Sequence, residues 1–99
     1  HYGLDIAQGE GTPIKAADGG EVTFAGWNGN YGYMVEINHG GGFTTRYAHC
    51  SKVVVKKGQK VSQYQEIAKL GSTGNSTGPH VHFEIRFNNV AANPKKYLD

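Results

Sequence analysis

Cysteine is almost missing from this chain: Cys50 is the only one among 99 residues. No internal disulfide is possible, and a thiolate cage for zinc cannot form. An excess of charge is also lacking. Ten Lys and Arg against eight Asp and Glu leave a formal net charge of +2, and the lysines are scattered or paired rather than massed in a stripe. That pattern argues against a nucleic-acid partner, although a mildly basic surface is compatible with an anionic polymer. No apolar run approaches the length of a membrane span, and no secretory signal is visible. Alanine-rich or leucine-rich helical runs are absent, which argues against a helical bundle. The chain starts at His1 rather than at methionine. A processed product or a piece of a longer protein is therefore expected, with any targeting segment upstream. The length suits one domain, residues 1–99, with a modest core.

What the chain has in quantity is glycine, fifteen residues, spaced so as to separate short β-rich segments. Glu21 to Trp27 alternates as a strand does. Asn28-Gly29-Asn30 then reads as a hairpin signal and Tyr33 to Asn38 as the return strand. His39 is expected at the tip of the next turn, before Gly40-Gly41-Gly42. The following strand runs from Phe43 to Cys50, with Phe43, Thr45, Tyr47 and His49 expected on one face. Lys52 to Val55, Lys60-Val61 and Glu66 to Leu70 read as further short strands, and Gly71 to Gly78 as a loop of small polar residues. Lys95 to Leu98 could form a single helical turn after Asn93-Pro94. Together these predict a compact all-β domain.

The most ordered pattern lies at Gly78-Pro79-His80-Val81-His82-Phe83-Glu84-Ile85-Arg86-Phe87. Val81, Phe83, Ile85 and Phe87 alternate with His80, His82, Glu84 and Arg86, the mark of a half-buried strand. The apolar set faces a core, and both histidines face the other way. Two imidazoles at i and i+2 on the open face of a rigid strand suit a metal or proton-transfer site.

Three more candidates lie elsewhere. His1 and Asp5 are four apart and share one side of an extended chain, about 13 Å between Cα atoms, so one ion would need a bend, most naturally at Gly3. His49 ends a strand where a loop begins. Catalytic zinc commonly takes three His or Asp/Glu ligands and keeps one position for water, and additional imidazoles can move that water's proton. Composition alone leaves open which histidines would ligate and which would shuttle protons.

At these residues the chain resembles the lysostaphin-type, LytM-like zinc metallopeptidases, which cleave peptide bonds in bacterial peptidoglycan. The likeness runs in order through residues 1–7, Tyr47-Ala48-His49, Gly74 to Glu84, Asn93-Pro94 and Tyr97-Leu98. The resemblance implies one Zn2+ per chain held by His1, Asp5 and His82, with His49 and His80 as the catalytic histidines beside a zinc-bound water. It implies an antiparallel β-sandwich or barrel-like fold of the duplicated hybrid type, with an open groove. Stem or cross-bridge peptides of peptidoglycan would be the substrates and the location extracytoplasmic: secreted, cell-wall associated or delivered by a phage virion. A D,D cross-link is favoured over a glycyl-glycine bond, as the broader activity of that family. Two departures from the family pattern are Cys50, where leucine is frequent, and Tyr64, where glycine is usual.

Other classes remain to be weighed. A non-catalytic module could use the same groove to hold peptidoglycan or a partner protein. Ala17 to Val22 and Val55 to Val61 look like the turns of biotinyl/lipoyl carriers and glucose-type phosphotransferase domains, but no acceptor lysine with its flanking signature is present. A Cys–His hydrolase on Cys50 would have its sequence neighbour His49 badly aimed.

Overall fold

A computed structural model describes residues 4–7, 9–74, 80–88 and 90–92. Nine strands are found among them: β1 (Leu4–Ala7), β2 (Pro13–Lys15), β3 (Gly20–Trp27), β4 (Tyr33–Gly40), β5 (Phe43–Val53), β6 (Lys60–Val61), β7 (Glu66–Leu70), β8 (His80–Phe87) and β9 (Val90–Ala92). All pairings are antiparallel, and the main sheet has the order β1-β8-β5-β4-β3-β6. β9 adds to β8, while β2 and β7 form a ribbon that joins the end of β5. The expected all-β antiparallel architecture is what the chain adopts. The only helical segment described is a single 3-10 turn at Gly29–Tyr31.

β5 holds the layers together. Its first part pairs with β8 as far as Ala48, which lies opposite His82, and with β4 as far as Cys50. Its last part, from Cys50 to Val53, pairs with β7. One long strand thus serves the main sheet and then the ribbon, and the first half of the piece expected as a separate strand at Lys52–Val55, Lys52 and Val53, is its continuation. His49 sits at the changeover with a positive φ of 63°. A left-handed residue inverts the alternation locally, so the next side chain returns to the core side.

The core lies between the main sheet and the ribbon. Val22, Val35, Ile37 and Tyr47 meet Ile67, Leu70, Val81, Phe83 and Ile85 there, all nearly inaccessible. The apolar reading of β8 holds for three residues; Phe87, 42% exposed, instead packs at the edge with ring centroids 4.7 Å from Phe43. Aromatic packing continues inside, where Tyr47 and Phe83 centroids are 5.3 Å apart.

Two local expectations change. His39 is not at a turn tip: β4 continues through it to Gly40, and the turn is Gly41-Gly42. Its ring ties two segments together, Nδ1–H donating to the Gly19 carbonyl at 2.8 Å and Nε2 facing the Thr45 hydroxyl at 2.7 Å. Thr45 in turn bonds the Tyr47 hydroxyl, which accepts from the Ala17 amide. This chain of hydrogen bonds on the core side holds His39 within the strand. The hairpin between β3 and β4 also runs past the Asn28-Gly29-Asn30 signal, because a 3-10 turn at Gly29–Tyr31 adds Tyr31 before the strands pair at Trp27 and Tyr33. The helical turn anticipated at Lys95–Leu98 lies outside the described residues.

Candidate active site

The face of β8 opposite the core is not simply solvated. Cross-strand partners share a face, and the register lines up Phe24, Glu36, Arg46 and Glu84 in one row across four strands. The next row places Asp5 of β1 and Ala48 of β5 on either side of His82. His80 stands at the register position opposite Ala7. Of the five residues expected to form the site, the structure thus brings Asp5, His82 and, through β5, His49 to one region. His1 and the side chains of Asp5 and His80 lie outside the described residues.

His82 and His49 approach with ring centroids 6.2 Å apart. Regular alternation would have turned His49 toward the core with Tyr47. The positive φ turns it onto the groove face instead, which corrects the face expected from the sequence. Non-glycine residues adopt this region at a cost, and such strain gathers at functional positions. Cys50, next along, is fully buried in the core cluster. Burial pushes its thiol up to about 12, the state of an inert packing residue. Among the described residues no histidine pairs with Cys50: its thiol faces the Tyr47 carbonyl at 3.5 Å, and His39 lies on the core side with Phe83 and Ile85.

Each of the two histidines has one ring nitrogen held by an acceptor. His49 Nδ1–H donates to the Thr73 carbonyl at 2.7 Å, which leaves the lone pair on Nε2. Thr73 is fixed in turn: its hydroxyl donates to the Cys50 carbonyl and receives the Tyr33 amide at 3.1 Å. The loop can close this tightly onto the 3-10 turn only because residue 32 is glycine. A Cβ there would stand 2.5 Å from the Thr73 carbonyl carbon, and its φ is 65°.

His82 has the opposite arrangement. Nε2–H donates to Glu84 Oε2 at 2.8 Å, placing the lone pair on Nδ1. Glu84 is only 1% exposed, an unusual place for a carboxylate. Burial by itself would raise its pKa, but hydrogen bonds from His82, Arg86 and Tyr31 outweigh that and hold the carboxyl below its ordinary value. The Tyr31 hydroxyl donates to Oε2 at 3.2 Å and the Arg86 Nε–H to Oε1 at 3.2 Å. Tyr31 is covered from the other side by Arg46, 5.7 Å from its ring centroid, and Arg46 pairs with Glu36 at 2.6 Å. The alternation of β8 assigned Glu84 to the polar face, but Tyr31 comes from a turn 53 positions earlier, and nothing local announces that it covers this carboxylate.

The donor chemistry fits a catalytic zinc ion. Zinc-bound imidazoles typically donate their second N–H to a carboxylate, as His82 does. No group of three His, Cys, Asp or Glu side chains converges among the described residues alone; the expected set includes His1 and the Asp5 side chain, which lie outside them.

Comparison with known proteins adds the following. The profile described as Peptidase family M23 matches residues 1–94. The DD-carboxypeptidase/endopeptidase Mpg of Neisseria meningitidis serogroup B is 45% identical over 94 residues, covering 95% of this chain and 22% of Mpg. Peptidoglycan DD-endopeptidase ShyA of Vibrio cholerae is 46% identical over 85 residues, covering 86% of this chain and 20% of ShyA. The catalytic domain of the antimicrobial peptidase lysostaphin from Staphylococcus simulans superposes with a TM-score of 0.93 at 38% identity, covering 99% of this chain and 78% of that domain. The chain spans about a fifth of the length of the curated relatives it matches.

Proposed function

The chain belongs to peptidase family M23, and from that premise we propose that it is a zinc-dependent endopeptidase acting on peptide cross-links of bacterial peptidoglycan outside the cytoplasm. The observation that carries this reading is the pairing of His82 with His49 on one face, with opposite ring nitrogens held. An inert surface would not need a left-handed histidine at a strand corner to bring two imidazoles together.

His1, Asp5 and His82 would hold one zinc ion, which supplies Lewis acidity toward the scissile carbonyl and toward a water molecule. His49, its tautomer held by Thr73, presents Nε2 as the base that takes a proton from the attacking water. His80, two residues before His82 on β8, is assigned to stabilise the oxyanion while His49 passes its proton on to the leaving amine; the two histidines can also exchange these roles. No nucleophilic side chain forms a covalent intermediate in this scheme. A D,D stem-peptide cross-link is the favoured bond, a choice supported by the names of Mpg and ShyA.

The test is the zinc content of the purified chain, measured alongside release of peptides from purified peptidoglycan with and without a chelator. About one zinc per chain and chelator-sensitive release of D,D-linked ends is the expected result. Bound zinc with no release would make the domain a binding module, and absence of zinc would overturn the reading.

A further inference from the structure

We propose that Glu84 is a positioning residue that sets the tautomer and aim of His82, and that Tyr31 locks Glu84 in place from the rim of the groove. The proposal rests on the reading of His82 as a zinc ligand. Its geometry stands apart from that reading.

Three donors converge on the two oxygens of Glu84: His82 Nε2–H and the Tyr31 hydroxyl on Oε2, and Arg86 Nε–H on Oε1. Only an acceptor-only group can serve all three, which requires the ionised carboxylate and excludes its amide. Glu84 is closed off from solvent, so no water replaces a lost partner cheaply. With the proton fixed on Nε2, the lone pair of the His82 ring is on Nδ1. The Tyr31 ring lies 6.4 Å from the His82 ring and is capped by Arg46, so the Gly29–Tyr31 turn acts as a clamp on the ligand from outside the sheet.

The experiment uses Glu84→Ala, Glu84→Gln and Tyr31→Phe in the full chain, with two readouts. The first is the imidazole 15N pattern of the metal-free protein under conditions where the rings are neutral. Wild type should show His82 protonated on Nε2. Glu84→Ala should give a tautomer mixture, while His49, held by Thr73, stays protonated on Nδ1 in every variant. The second is zinc affinity, by competition with a chelator. Glu84→Ala should weaken it by about ten- to a hundredfold, Glu84→Gln severalfold because its NH2 must face a donor, and Tyr31→Phe least. Glu84→Gln preserves shape and keeps the test decisive should Glu84→Ala fail to fold. Wild-type zinc affinity in Glu84→Gln, or an unchanged His82 tautomer in Glu84→Ala, overturns the proposal. A wild-type chain that binds no zinc would instead overturn the ligand assignment, and the tautomer comparison would still report on Glu84.

Discussion

The left-handed backbone at His49 can be isolated by comparing alanine with glycine at two neighbouring positions. Ala48 and His49 are both buried, 0% and 8% exposed, but only His49 has a positive φ, at 63°. At position 48 the native residue is alanine, so Ala48→Gly loses one buried methyl, about 0.8 kcal/mol, and gains unfolded-state freedom worth roughly 0.5–1 kcal/mol. A cost near 1.5 kcal/mol is expected there. Between His49→Ala and His49→Gly the same two contributions apply, and the hydrogen bond to Thr73 is missing from both. Glycine at 49 also escapes the left-handed penalty, about 1–2 kcal/mol for a residue with a Cβ. The Ala-to-Gly step at 49 should therefore cost about 1–2 kcal/mol less than at 48, close to zero or reversed in sign. Urea unfolding of the metal-free proteins measures it, and thermal melts should show about 4–8 °C for each kcal/mol in a domain of this size. Equal Ala-to-Gly costs at the two positions would refute the strain argument, and with it the reason His49 leaves the core face.

Four further outcomes are expected. Burial pushes Cys50 from 9.0 up to about 12 and also raises Tyr47, against the opposing hydrogen bonds from Thr45 and Ala17. Both groups hold their protons more tightly folded than unfolded, so stability is intact below pH 9 and falls as pH rises toward 12, as alkaline unfolding monitored by circular dichroism would reveal; a flat profile across that window would contradict it. Tyr64 is 69% exposed with φ 68°, so Tyr64→Gly sheds strain while losing little packing and should raise stability by up to about 1 kcal/mol; a lower melting midpoint would count against this. His39→Ala leaves the Gly19 carbonyl and Thr45 hydroxyl without their partner and should cost about 1–3 kcal/mol in denaturant titration while zinc binding is retained. For the metal itself, His82→Ala should lose zinc by elemental analysis, whereas His49→Ala should keep zinc and lose turnover; full zinc in the His82→Ala protein would sink the ligand assignment.

The parts of this chain that were legible in its sequence are those governed by a regular period. In β8 the alternation from Val81 to Ile85 correctly separates core from groove, because a straight strand has no other way to orient its side chains. The same rule fails at His49, four residues after Thr45, because one left-handed residue inverts it and histidine carries no local mark of that conformation. It is silent about Glu84 for a different reason. Periodicity says which face a residue takes, but not what covers that face. The cover here is Tyr31, delivered by a turn far away in the chain and held down by Arg46. His39 follows the same logic in reverse: glycines after it read as a turn, while the distant Gly19 carbonyl and Thr45 draw it into the strand. In each case a contact from elsewhere in the chain supplies what the local pattern does not, and two of the three cases lie at the candidate site. That distribution has a physical cause. Holding the His49 and His82 rings in opposite tautomers takes an acceptor for each, and neither regular strand geometry nor a solvated polar face supplies buried acceptors at those places. The Thr73 carbonyl and the Glu84 carboxylate supply them, Thr73 fixed by the Tyr33 amide at the start of β4 and Glu84 by Tyr31 of the β3–β4 turn. The irregularities that the sequence conceals are thus the features by which the fold brings two imidazoles with opposite tautomers together on a polar sheet face.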